Sequence, residues 1–396
     1  IRGVAWNPVR AGSTHPRGLD FQGYADIAIP LMRDMGVNTV RTYEPITDTV
    51  VLDKLHAAGI RVINSAYSWG GNEVESVDDV VNSVKGHPAL LMWSVGNEWN
   101  YNGLYVGMDV DTVAERVNNV AEHIKTLDPN TPVATVYGEL PSSSMVNQLN
   151  HVDVWAINAY RGISFGDLFD QWHGTSDKPM FIGEYGADAY NANEKDSGGE
   201  VGYDPQSQST AVVALTQEIF RNIVSEDDAG DKRGVLGGTF FEWADEWWKA
   251  GNPDQQDTGG SAPGGGPYPD GTFNEEYWGI VDIDRNERCG FYNMKALYTS
   301  IINETTFTEL PCDDVNSGNT PDSGSDSETD SGTESESDSE TDSGTESESE
   351  SETDSDSGGG GGALSWMGFV ILLLIVLTYR SLGQRKRISG EGHSRH

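Results

Sequence analysis

Short apolar runs alternate with longer amphipathic segments eight times over about the first 305 residues. An apolar run without helical period is typical of a parallel strand that is covered by helices on both faces. Residues 90–95 show this pattern clearly, and residues 112–126 after them carry apolar side chains along one helical stripe. Eight strand–helix units in this length predict an α/β fold, a closed (β/α)8 TIM barrel, rather than an open sheet.

The predicted strands and helices alternate along the chain, and a long Gly/Pro-rich loop separates the last strand from the last helix. The predicted strands cover residues 1–7, 39–41, 61–64, 90–95, 133–136, 152–158, 180–183 and 235–241. The predicted helices cover residues 26–35, 50–58, 77–85, 112–126, 142–149, 165–172, 207–225 and 293–302.

Two of the apolar runs end in a carboxylate. Glu98 follows the fourth predicted strand, and Glu184 follows the seventh. For either glutamate alone, a helix cap or a surface residue is as good an interpretation as a catalytic residue. Because active sites of such barrels lie at the carboxyl ends of the strands, the matching positions favour a paired-carboxylate site.

Paired carboxylates suit the cleavage of a glycosidic bond. One carboxylic acid protonates the leaving oxygen, and a second carboxylate about 5–5.5 Å away acts as the nucleophile, which retains the configuration. Glu98 lies between Trp93 and Trp99 in sequence, where a dry environment would keep it protonated. Arg41, at the end of the second strand, is expected to hold Glu184 ionised, although a surface salt bridge is the alternative.

Two more polar residues stand close to these strand ends. Asn97 precedes Glu98 and is expected to donate to the 2-hydroxyl of a bound sugar. Tyr160 follows the sixth predicted strand and is expected to hydrogen-bond the nucleophile. No metal-ligand spacing is present around the cysteines, and the predicted chemistry needs no cofactor.

The charge of the chain restricts its partners. The net charge is −38, and residues 1–310 contribute 45 acidic and 20 basic side chains to it. This acidic excess argues against a nucleic acid as the ligand, since phosphate binding needs a basic surface.

The last part of the chain differs sharply in composition. Residues 311–362 are rich in Ser, Asp, Glu and Gly, so they are predicted to be a disordered linker. Residues 363–379 form a 17-residue apolar run, and residues 380–396 are basic. These features predict a short membrane span with a cytoplasmic tail, and therefore a cell-surface or secreted barrel. The start at Ile1 leaves room for a removed leader.

The two cysteines, Cys289 and Cys312, flank the last predicted helix. Their pairing would join the segment after this helix to its start. An exported protein would permit such a disulfide.

Three motifs carry a resemblance to a known family. Gly-Asn-Glu at 96–98, Gly-Glu-Tyr-Gly at 183–186 and Val-Asn-Thr-Val-Arg at 37–41 resemble clan A glycoside hydrolases, which are retaining (β/α)8 enzymes. The resemblance implies that Glu98 is the acid/base and Glu184 the nucleophile. It also implies that Trp243 closes the eighth strand beneath the bound sugar.

Within the clan, residues 278–282 resemble the barrel domains of family 2 β-glycosidases, and the strand-end motifs resemble fungal β-1,3-glucanosyltransferases. The C-terminal tail resembles bacterial Gly-Gly sorting signals, which are cleaved by a sortase-type protease; an ordinary single-span anchor is the alternative.

The favoured function is a retaining β-glycoside hydrolase acting on a β-linked glucan or a related polysaccharide. A transglycosidase using the same site and a non-catalytic carbohydrate-binding protein are the alternatives. Glu98 and Glu184 together with Asn97 and Arg41 argue for catalysis, because a binding protein does not need this set.

Overall fold

The computed structural model describes residues 1–67, 74–195, 201–223, 234–258 and 268–312. The chain forms two units, Ile1–Gly318 and Asn319–His396. The predicted apolar span at 363–379, the basic tail at 380–396 and nearly all of the predicted linker lie outside the described residues. Among the helices that the structure does describe, none combines the length and apolarity needed to cross a membrane.

The strands of the described chain confirm the predicted barrel. They are β1 (Arg2–Ala5), β2 (Thr39–Arg41), β3 (Arg61–Tyr67), β4 (Leu90–Val95), β5 (Val133–Gly138), β6 (Val154–Asn158), β7 (Met180–Glu184), β8 (Tyr190–Lys195), β9 (Val201–Tyr203) and β10 (Val235–Phe240). Eight of them close into a barrel in the order β1-β10-β7-β6-β5-β4-β3-β2, and every pairing in it is parallel. An antiparallel hairpin, β8–β9, follows β7 and was not predicted.

The described helices follow the predicted order with differences in their bounds, except that the short helix at Trp99–Asn102 was not predicted. They are α1 (Phe21–Met35), α2 (Thr49–Ala57), α3 (Val74–Val84), α4 (Trp99–Asn102), α5 (Val110–Leu127), α6 (Ser143–Gln148), α7 (Leu168–Thr175), α8 (Pro205–Arg221) and α9 (Cys289–Asn303). Helix α1 begins earlier than predicted because Asp20 accepts a hydrogen bond from the Gly23 amide and caps it. It ends at Gly36, whose φ of 93° suits a glycine.

Alternation along the strands separates two apolar cores. Trp155 of β6 faces outward and packs against Trp172 of α7, with ring centroids 6.2 Å apart. Its neighbour Ala156 belongs to a second cluster inside the barrel, which also contains Ile63, Met92, Ala134, Val136, Val154 and Phe181. The residue two positions after Ala156 is Asn158, so the same alternation turns Asn158 toward the carboxyl end of the barrel interior.

Cys289, at the start of α9, forms a disulfide with Cys312, and their Cα atoms lie 5.1 Å apart. The segment between them is also held by Asn293, whose side chain accepts from the Leu310 amide at 2.7 Å and donates to the Leu310 carbonyl at 3.0 Å. The chain therefore stays attached to the barrel at least as far as Cys312.

We expect the disulfide to stabilise the barrel, because it closes a loop with a sequence separation of 23. Replacing both Cys289 and Cys312 with serine should lower the free energy of unfolding by about 3 kcal/mol. Denaturant titration with and without a reductant measures this change. The double variant is its own control, since the reductant should not affect it. Equal unfolding midpoints for the wild type and the variant without the reductant would contradict the expectation.

Candidate active site

Glu184, the last residue of β7, accepts hydrogen bonds from three side chains at the barrel mouth. Arg41 Nη1 and the Tyr43 hydroxyl both donate to its Oε1 at 2.8 Å. The Tyr160 hydroxyl donates to its Oε2 at 3.0 Å. Burial, followed by the Glu184 charge, raises the pKa of both tyrosines well above the usual value, so they remain donors. Three donors around one carboxylate stabilise its ionised form.

Arg41 connects several strand ends. It is the last residue of β2 and is only 1% exposed, so its ion pair with Glu184 is not a surface salt bridge. Its Nη1 also donates to the Gly183 carbonyl at 3.0 Å, and its Nη2 donates to Asn97 Oδ1 at 2.6 Å. One guanidinium thus fixes the end of β7 and the turn after β4 together.

Asn97 is oriented by two donors. Besides Arg41, the Asn158 amide donates to Asn97 Oδ1 at 3.2 Å. Because both partners are donors, the oxygen of the Asn97 amide must face them, which leaves its NH2 group for other contacts.

Glu98 follows Asn97 in a left-handed backbone conformation, with φ 46° and ψ 34°. Its amide donates to the Val136 carbonyl of β5 at 3.0 Å, which ties the turn to the neighbouring strand. The turn ends strand β4 and starts the short helix α4 at Trp99. The bend places Glu98 just after the end of β4.

The surroundings of Glu98 favour its protonated form. Burial, followed by the negative charge of Glu184, raises the pKa of Glu98 to about 8. A hydrogen bond from Asn158 and the charge of Arg41 act in the opposite direction, and the charge of Glu275 adds to the increase. The protonated form of Glu98 is therefore favoured at neutral pH.

A cluster of aromatic rings borders Glu184. Trp278 lies at its centre, with its ring centroid 5.2 Å from Tyr160, 5.6 Å from Phe241 and 5.8 Å from Phe273. The Phe241 ring in turn lies 6.4 Å from that of Tyr43. The two tyrosines that bond Glu184 are therefore held in place by ring packing.

The structure places Trp243 elsewhere, which corrects the role expected for it. Trp243 is 1% exposed and packs against Phe291 of α9, with ring centroids 6.4 Å apart. Phe240 belongs to the outer core, so alternation turns the next residue, Phe241, toward the barrel mouth. Phe241 is thus the aromatic residue after β10 that borders the site.

Sequence reasoning missed four residues of this site: Tyr43, Asn158, Phe241 and Glu275. A signal existed for Asn158, which ends the sixth predicted strand in the same phase as Ala156. Glu275 and Tyr43 lie in loops without periodicity, where no pattern indicates a side-chain direction. Within the described residues, no group of three or more His, Cys, Asp or Glu side chains is arranged to hold a metal ion.

A known family model matches the central part of this barrel. Residues 67–209 match the TIM barrel domain of glycosyl hydrolases family 2, and this segment includes both Glu98 and Glu184. The barrel is therefore similar to those of clan A glycoside hydrolases.

Among curated proteins, the chain is similar to the β-glucuronidases of Sus scrofa and Rattus norvegicus. The pig protein is 29% identical over 185 residues, which cover 40% of this chain and 26% of the relative. The rat protein is 30% identical over 190 residues, covering 42% and 28%. The chain thus matches only about a quarter of the length of these relatives.

Two solved structures show the same barrel fold. The GH2 β-galacturonidase from Eisenbergiella tayi bound to galacturonate has 20% identity and a TM-score of 0.52, covering 76% of this chain and 51% of that one. The β-D-glucuronidase of Dictyoglomus thermophilum has 19% identity and a TM-score of 0.52, covering 78% and 52%.

We expect Glu98 to lose its proton as the pH rises through about 8. The Glu184→Gln variant removes the neighbouring negative charge, so the pKa of Glu98 should fall, while burial keeps it above the usual value. Infrared spectroscopy of the protonated carboxyl band against pH measures both titrations. The Glu98→Gln variant identifies the contribution of Glu98, since other buried carboxyl groups absorb there too. A Glu98 titration that is unchanged in Glu184→Gln would mean that the two groups do not interact.

Proposed function

We propose that this protein is a retaining β-glycoside hydrolase that cleaves the O-glycosidic bonds of a β-linked polysaccharide such as a glucan. The observation that carries the proposal is the pair of carboxyl groups at one barrel mouth, where the charge of Glu184 is one cause of the raised pKa of Glu98. Glu184 accepts three hydrogen bonds from donors, whereas the pKa of Glu98 is raised to about 8. A double displacement needs one ionised nucleophile and one acid at the same bond.

In the first step, Glu98 gives its proton to the glycosidic oxygen while a Glu184 oxygen attacks the anomeric carbon. The bond to the leaving oxygen breaks, and a glycosyl ester with Glu184 forms. Ester formation removes the charge of Glu184, which is the second cause of the raised pKa of Glu98. Glu98 is therefore a weaker acid before this step than after it. Once ionised, it takes a proton from the water that cleaves the ester.

Asn97 is proposed to bind the sugar next to the reacting carbon. Its carbonyl oxygen is engaged by Arg41 and Asn158, so its NH2 group is the part that remains to donate to a 2-hydroxyl. Such a bond strengthens as the transition state forms. The non-catalytic alternative is disfavoured, because carbohydrate binding alone does not require two interacting carboxyl groups beside a buried arginine.

The location of the protein is proposed from its sequence. The acidic segment 311–362 and the apolar run 363–379 suggest that the barrel is displayed at the cell surface. The disulfide between Cys289 and Cys312 supports an oxidising compartment. Retention of the apolar run and its removal by a sortase-type protease both remain compatible with this proposal.

The two glutamates should respond differently to truncation. Glu184→Ala should abolish turnover of all substrates, because no glycosyl ester can form. Glu98→Ala should retain activity on dinitrophenyl glycosides, whose leaving group needs no proton. Added azide should then release a glycosyl azide of retained configuration, which proton NMR of the product identifies. An inverted azide, or azide rescue of Glu184→Ala alone, would exchange the two roles or make the reaction inverting.

Arg41→Lys should lower kcat/KM by about a hundredfold, because an ammonium group cannot reproduce the forked contacts to Glu184 and Asn97. Arg33→Lys is the matched control, since Arg33 is exposed on α1. Steady-state kinetics on an aryl β-glycoside measure both variants. Equal activity of Arg41→Lys and the wild type would show that the charge alone is sufficient.

A further inference from the structure

A second charged cluster lies on the wall of the barrel mouth beside the catalytic pair. Its centre is Lys249, whose Nζ lies 3.0 Å from Glu246, 3.5 Å from Glu275 and 3.9 Å from Glu242. The Glu242 and Glu246 side chains are both 2% exposed, whereas that of Glu275 is 26% exposed. Glu275 is therefore the carboxylate of this cluster that a ligand can reach.

The cluster is close to the reacting groups. Lys249 Nζ lies 4.1 Å from the centroid of the Phe241 ring, and that ring packs against Tyr43, which bonds Glu184. The charge of Glu275 contributes to the raised pKa of Glu98. Burial is the first cause of the raised pKa of Glu275, and the charge of Glu184 is among the others. Glu275 thus interacts electrostatically with both catalytic carboxyl groups.

Lys249 is already surrounded by carboxyl groups. Its ammonium faces Glu242, Glu246 and Glu275, and the Asn7 amide holds Glu246 in addition. A carboxylate from a ligand would compete with these groups for one cation and would meet the negative charge of Glu275. A sugar hydroxyl has no such difficulty, since it can donate to the Glu275 carboxylate and accept from Lys249.

Resting on the proposed function, we propose that Glu275 is a specificity-determining residue that makes this site select neutral sugars and reject uronic acids. The similar proteins are β-glucuronidases and a β-galacturonidase. The proposal therefore gives this chain an uncharged substrate, unlike the charged sugars in the names of those proteins. Repulsion between two like charges near a protein surface is expected to lower kcat/KM for a uronic acid by about 10- to 100-fold.

The test compares charged uronides with uncharged sugars of similar shape. The full-length protein is assayed with aryl β-glucuronide and its uncharged methyl ester, with the galacturonide pair, and with the neutral β-glucoside and β-galactoside. In the wild type, kcat/KM for the ester should exceed that for the free acid by at least about tenfold. Glu275→Gln keeps the shape and removes the charge, so it should narrow this gap by about tenfold.

Asp284→Asn is the matched control, because Asp284 is an exposed acid whose removal changes the net charge equally. It should leave the ratio of ester to acid unchanged. A thermal melt of Glu275→Gln tests its folding. A merely structural role for Glu275 would lower activity on the ester and the acid alike, whereas the proposal requires a change in their ratio.

Three outcomes would decide the matter. A wild type that cleaves the free uronide as well as its ester overturns the proposal, and so does an unchanged ratio in Glu275→Gln. If none of the glycosides is cleaved, the proposed function fails, and binding of methyl β-glucoside and methyl β-glucuronide is compared by ligand-observed NMR. Equal binding, or tighter binding of the glucuronide, then overturns the role of Glu275 independently of catalysis.

Discussion

The buried ion pair between Arg41 and Glu184 is the contact on which the rest of the site depends. Its side chains are 1% and 7% exposed and meet at 2.8 Å. Removing two charges from water costs several kcal/mol per ion, which is recovered only when further hydrogen bonds complete the pair. Tyr43 and Tyr160 supply them on the carboxylate, and Asn97 accepts from the guanidinium. The ends of β2 and β7 and the turn after β4 are therefore held together by one network.

This network also explains why the pKa of Glu98 is raised at this barrel mouth. Arg41 and the tyrosines stabilise the charge of Glu184, and that charge in turn opposes ionisation of Glu98. Asn158 moderates the effect, since its hydrogen bond favours the ionised form of Glu98. Because Arg41, Glu184 and Glu98 form one arrangement of charges, a substitution of Arg41 should also change the pKa of Glu98.

The sequence predicted the barrel because each buried strand reads as an apolar run that stops where polar chemistry starts. Glu98, Glu184 and Arg41 were predicted for that reason, and the structure brings them together. The hairpin β8–β9 escaped prediction because its first strand is largely exposed and carries no apolar alternation. The position of Phe241 at the site was not predicted, because the resemblance assigned the aromatic residue beneath the sugar to Trp243, two residues later. Loop residues such as Glu275 take their direction from tertiary contacts that no local pattern encodes.

The described part of the segment after β10 contributes residues to the wall of the site, and buried ion pairing anchors it. Arg288, just before α9, forms a bidentate ion pair with Asp245, with both distances at 2.6 Å. Asp245 also accepts from the Gly279 amide at 3.0 Å, which fixes the backbone beside Trp278. Planar pairing of this kind restrains orientation as well as distance. Glu275 and Trp278 are thus held by a buried framework rather than by a loose loop, as selection by a wall residue requires.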